Sequence, residues 1–110
     1  MKEMKFDVPQ VKKYLQENDM VYTVRQYQNK KNQSCKIDNE IYKRIYIKDI
    51  NTKEELIPYL SMSGLKTIEQ WWGYVQSVNT YNPNSKKSLY LVLKTKQFNA
   101  YDEYKKKFGK

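Results

Sequence analysis

The sequence predicts an α+β fold: a small β-barrel or curled mixed sheet flanked by short helices. Three observations carry that expectation. Two strand-like runs, 20–27 (MVYTVRQY) and 41–50 (IYKRIYIKDI), alternate apolar with polar residues and hold the only two arginines, Arg25 and Arg44. A third run, 88–95 (SLYLVLKT), puts Leu89, Leu91 and Leu93 on one face of a central strand. Helical stretches with recognisable start signals lie between these runs. At 110 residues, 39% hydrophobic and 15% aromatic, the chain supports one packed core. It is read as a single domain over 1–110, with its core at about 6–97 and a basic tail or short helix at 98–110.

In order along the chain, Asp7 is an N-cap for a helix at about 8–17, with Pro9 in its first turn. Val8, Val11 and Leu15 form its apolar stripe. In the strand 20–27, Val21, Thr23, Arg25 and Tyr27 share one face, and Tyr22, Val24 and Gln26 the other. Thr23 and Arg25 beside Val21 suggest a face that opens onto a polar pocket. The connection 28–40 is polar and too long for a tight hairpin unless 35–37 adds a short strand. In the strand 41–50, Ile41, Ile45 and Ile47 are expected to point inward. Tyr42, Arg44, Tyr46 and Lys48 then form an outward row of alternating aromatic and cationic groups. Such a row can stack bases and neutralise phosphates, although tyrosines also serve simply as strand formers.

Thr52 and Glu55 make a capping box for a helix cut short by Pro58, with Leu56, Ile57 and Leu60 as core candidates. Gly64 suits a positive φ in the loop that follows. Thr67 to Gln70 is a second capping box, opening a helix whose apolar arc holds Ile68, Trp71, Trp72, Val75 and Val78. One tryptophan is expected in the core, the other half exposed at the arc's edge, walling a pocket. The stretch 79–88 is a loop around Asn82-Pro83-Asn84.

Net charge is +9 and the pI about 9.5, which favours a polyanionic partner, most often nucleic acid. The Lys, Asn, Tyr and Ile abundance also fits an AT-rich genome. There is no histidine and one cysteine, Cys35, so histidine-dependent triads are excluded and no cofactor or zinc site is implied. Cys35 is expected as an incidental loop thiol whose nearby lysines lower its pKa modestly. No stretch approaches the ~18 apolar residues of a membrane span, and no apolar run follows the N-terminus as in a signal peptide. A cytoplasmic location is expected, with no membrane association.

The order VYTVR, YKRIYIKDI, SGLKTIEQWWGYV and SLYLVLKT resembles the PUA-like superfamily, its ASCH branch most closely, over about 18–96. The resemblance implies a small β-barrel with flanking helices that binds RNA or modified nucleotides. Thr23 and Arg25 match the Thr-x-Arg of the ASCH pattern. Its glycine and lysine positions hold Asn18 and Met20, and its glutamate position falls near Ser63. ASCH-like amidohydrolases acting on acetylated cytidine use that lysine and glutamate with the threonine. Met20 and Ser63 supply neither proton carrier, so binding is expected rather than catalysis.

The expected function is therefore a non-enzymatic nucleic-acid-binding domain for RNA or single strands, with a modified base read in the pocket as one form of it. Lys30, Lys31, Arg44, Lys48, Lys86 and Lys87 would meet phosphates. Tyr42, Tyr46 and one of Trp71 and Trp72 would stack bases. Thr23 and Arg25, with Tyr27 on their face, would line the pocket. The alternatives are a nucleoside amidohydrolase and a small viral or mobile-element interaction or inhibitor protein, whose protein partner would meet the tyrosine-rich face. The sequence leaves the oligomeric state open.

Overall fold

The structure, a computed structural model, describes residues 2–6, 8–26, 33–78 and 87–94. The predicted Asp7 cap, residues 79–86 of the predicted loop 79–88 and the tail 98–110 lie outside these residues, while Lys87 and Ser88 of that loop are strand. The element order is β1 (Lys2–Glu3), α1 (Pro9–Asn18), β2 (Met20–Arg25), β3 (Gln33–Ile37), β4 (Glu40–Ile50), a 3-10 helix (Lys53–Met62), α2 (Ile68–Val78) and β5 (Lys87–Lys94). The fold is α+β.

The strands form one sheet in the order β1-β3-β4-β5-β2, antiparallel except that β1 runs parallel to β3. β1 and β2 stand at its two ends, so among the described residues the sheet is open rather than a closed barrel. It is nonetheless curled. Met4 touches β3, donating its N–H to Lys36 O at 2.9 Å and placing Sδ 3.9 Å from Cys35 Sγ. Only two residues on, the Phe6 ring lies 4.7 Å from the Arg25 guanidinium of β2. Three strand spacings on a flat sheet would separate β3 from β2 by about 14 Å, roughly twice the span of two extended residues. The short link fits a curled sheet, and Met4, Lys5 and Phe6 cross its concave face as a strap.

Local sequence accounts for the turns. Asp38 (φ 48°) and Asn39 (φ 70°) join β3 to β4 in a two-residue hairpin, a place where Asp and Asn tolerate left-handed backbone. The polar connection is thus partly strand. Asp19 (φ 63°) closes α1, donating its N–H to Leu15 O at 2.8 Å. Residues 53–62 wind as 3-10 rather than α because Pro58 has no N–H and its ring crowds the carbonyl four residues back. The Glu55 carboxylate accepts from the N–H groups of Thr52 (2.9 Å) and Asn51 (2.5 Å). At α2, Gln70 N–H donates to Thr67 Oγ1 at 3.1 Å while Gln70 Oε1 accepts from Lys66 N–H at 3.2 Å.

The main core joins Val11 and Leu15 of α1, Val21 of β2, Val92 of β5, Leu56, and Trp71 and Val75 of α2. A second cluster, Ile45, Leu91 and Leu93, packs with Met20 and Tyr22 on the convex face. Both faces of β5 are therefore buried.

β4 departs from expectation. Tyr42 (3% exposed) and Arg44 (7%) are buried, while Ile41 is 50% exposed. Tyr42 pairs with Cys35, and Arg44 with Gln33 and Val92, all on the concave face that the strap crosses. A register shift between Tyr46 and Lys48 then breaks the alternation, so Lys48 pairs with Leu89 and turns to the convex face. The single outward row of Tyr42, Arg44, Tyr46 and Lys48 does not form. Cys35 is likewise a buried strand residue rather than a loop thiol, and burial pushes its pKa up against the lowering pull of Arg44 and Arg25.

Candidate functional site

A pocket of about 140 Å³ opens between the strap, β2 and α2. Phe6, Tyr22, Trp71 and Tyr74 give it aromatic walls, and Val11, Leu65 and Val75 an aliphatic floor. Its polar groups are Thr23, Arg25 and Ser63. Strand alternation places Thr23 and Arg25 two apart on the concave face, paired with Tyr90 and Ser88 of β5. Arg25 Nε donates to Thr23 Oγ1 at 3.3 Å. The guanidinium thus lies between a hydroxyl and the Phe6 ring at the pocket wall.

Ser63 is occupied by the backbone. Its hydroxyl donates to Leu60 O at 2.7 Å and accepts from Leu65 N–H at 3.1 Å, shaping the turn at Gly64. Among the described residues, no carboxylate and no lysine lines the pocket. Met20, at the lysine position of the ASCH pattern, belongs to the convex cluster instead. Among the described residues, the Arg25 guanidinium and the Thr23 hydroxyl converge with several aromatic faces. That set can stack against a flat group and donate hydrogen bonds to it.

The other sequence candidates divide into four groups. Trp71 is buried and is the tryptophan that walls the pocket, whereas Trp72 is half-buried against the edge of the core, with Lys87 Nζ 5.3 Å from its ring centroid. Lys87 adjoins Ser88, the cross-strand partner of Arg25, so this cation–aromatic pair lies at the same end of the sheet as the pocket. Lys48 is drawn to the Glu55 carboxylate at 3.4 Å on the convex face. Tyr42 and Arg44 are buried in the interior, and Tyr46 is half-buried. Tyr27, Lys30, Lys31 and Lys86 lie outside the described residues.

A part-buried polar row on the concave face is not legible in the sequence. Asp49 Oδ1 accepts from Tyr46 Oη (2.9 Å) and from Ser88 Oγ (3.0 Å). Burial first, then that Asp49 hydrogen bond, push the Tyr46 phenol up. Arg44 lies over the fully buried Tyr90 ring at 5.0 Å, and its Nη2 donates to Gln33 Oε1. Asp49 and Ser88 are on one face only because of the bulge, a signal that alternation alone conceals.

The chain matches no family model, no curated protein and no solved structure.

Proposed function

We propose that this protein is a non-enzymatic binding domain for single-stranded nucleic acid, RNA foremost, that receives one base in the pocket at Arg25. The carrying observation is the Arg25 guanidinium and the Thr23 hydroxyl set into an otherwise aromatic pocket. Aromatic faces stack a base of any sequence, and a guanidinium meets a carbonyl edge or a phosphate. Lys87 on Trp72, one residue along from the partner of Arg25, supplies charge and a stacking face for the neighbouring nucleotide. The net charge of +9 draws the strand in. Kinship to PUA-like domains is part of the proposal: Thr23 and Ser63, positions that the resemblance singles out, both line this pocket. The protein then belongs in the cytoplasm, where RNA and a reduced thiol coexist.

Fluorescence anisotropy with a labelled single-stranded RNA at two salt concentrations tests the proposal. Micromolar binding is expected, with log K falling by about 0.7 per phosphate contact for each decade of salt. Arg25→Ala is expected to weaken it by about tenfold or more, in line with loss of a charge-assisted hydrogen bond. Absence of binding at low salt removes the proposal.

A further inference from the structure

We propose that the main chain of β2 reads the bound base, the N–H and C=O of Val24 pairing with the Watson–Crick edge of an unpaired nucleotide. This rests on the base-binding proposal above and adds a reason for single strands to be preferred.

The direction of those groups follows from one hydrogen bond. Lys94 N–H donates to Asp19 O at 2.9 Å, so the Asp19 carbonyl points towards β5. A trans peptide sends the N–H of the next residue, Met20, the opposite way, towards the outer edge of the sheet. Along a strand the two main-chain groups of one residue share a side, and that side alternates. The register with β5 runs unbroken from Met20 to Arg25. Val21, Thr23 and Arg25 therefore bond to β5, while Tyr22 and Val24 turn their N–H and C=O outward. β2 ends the sheet order, so among the described residues no other strand pairs with that side.

The pocket lies along this edge. Tyr22, Thr23, Val24 and Arg25 all line it. Successive side chains of a strand point to opposite faces, so a cavity that touches four in a row borders the strand's edge. Val24 is half-buried there, between the polar Thr23 and Arg25. Its neighbouring donor and acceptor match the adjacent acceptor and donor on the pairing edge of a base, such as N1 and N6–H of adenine or O6 and N1–H of guanine. In a duplex the opposite strand already occupies that edge. Only an unpaired base can offer it to Val24.

The test joins a ligand change to a main-chain change. Labelled oligomers of adenosine and of N6,N6-dimethyladenosine, equal in length, are titrated by anisotropy at one salt concentration. The dimethylated base stays neutral but has no N6 hydrogen to give, and its strand is expected to bind about tenfold more weakly. Val24→Pro removes the outward N–H and breaks no bond to β5, the setting in which an edge strand admits proline. It is expected to weaken adenosine binding about tenfold, with the thermal midpoint near that of the wild type. Amide exchange by NMR on the wild type decides the matter if that variant does not fold. There the Thr23 N–H should exchange slowly, and the Val24 N–H fast until RNA slows it. Equal affinity for the two strands overturns the inference and leaves strand binding intact. A Val24 amide that RNA does not slow also overturns it. Failure of both strands to bind at low salt removes the base-binding proposal itself.

Discussion

The Arg25 guanidinium lies over the Phe6 ring, 4.7 Å from its centroid. Phe6 belongs to the strap that crosses the concave face, so the segment that ties β3 to β2 also holds the cation at the pocket. Phe6→Leu keeps apolar volume but removes the π face, a contact worth about 0.5–1 kcal/mol. RNA binding by anisotropy should weaken about two- to fivefold, with the thermal midpoint little changed.

The two described helix-side glycines should respond in opposite directions. Gly64 sits at φ +84° with Val11 Cα, Gln10 O and Tyr14 Cβ about its open side, the nearest at 2.9 Å. Gly64→Ala combines left-handed strain with a backbone clash and should cost about 2 kcal/mol or more. Gly73, inside α2, has nothing within 4 Å of a built Cβ. Gly73→Ala should stabilise by about 0.5–1 kcal/mol. Thermal melts read both, at about 4–8 °C per kcal/mol for a domain near this size.

Arg44 and Arg25 should separate by what they damage. Arg44 is buried between Gln33 and Tyr90, so Arg44→Ala leaves a polar partner stranded in the interior. A loss of roughly 3 kcal/mol in urea unfolding is expected. Arg25→Ala should barely move the unfolding midpoint while weakening RNA binding.

The pH dependence has two limbs. Burial pushes up the Cys35 thiol and the Tyr42 and Tyr46 phenols, and hydrogen bonds from Lys94 to Asp19 and then Glu40 push the ammonium up. A folded-state pKa above the unfolded one gives stability that is complete below the unfolded value and drains as pH rises through the folded one. Urea midpoints should therefore fall above about pH 8.5, where an ordinary thiol begins to ionise. Glu55 works oppositely. The N–H donors of Asn51 and Thr52 hold its carboxyl down, so its contribution is present above about pH 4.3 and lost as pH falls. Glu55→Gln should flatten the acid limb and leave the alkaline one.

The parts of the fold legible in the sequence are those fixed locally. Thr67 with Gln70, Glu55 with Thr52, and the stripe of Val11 and Leu15 declare helix starts and buried faces within a few residues. β4 was misread because its partners are distant. Alternation says that Ile41 and Arg44 lie on opposite faces but not which face is covered, and Arg44 finds Gln33 and Tyr90 only after the sheet assembles. The bulge beyond Tyr46 then moves Lys48 away from the row it shares in sequence. At the pocket, Thr23 and Arg25 were legible from parity. Phe6 was not, since nothing in a flat reading brings the N-terminal segment under β2.

A base that enters the pocket at Arg25 meets Trp71, whose emission reports its arrival. In a Trp72→Phe background, titration with single-stranded RNA should change the remaining tryptophan fluorescence along the same isotherm as anisotropy. Arg25→Ala should shift both curves together to higher concentration. Binding by anisotropy with Trp71 emission unchanged would contradict the account, because the strand would then be held elsewhere on the protein.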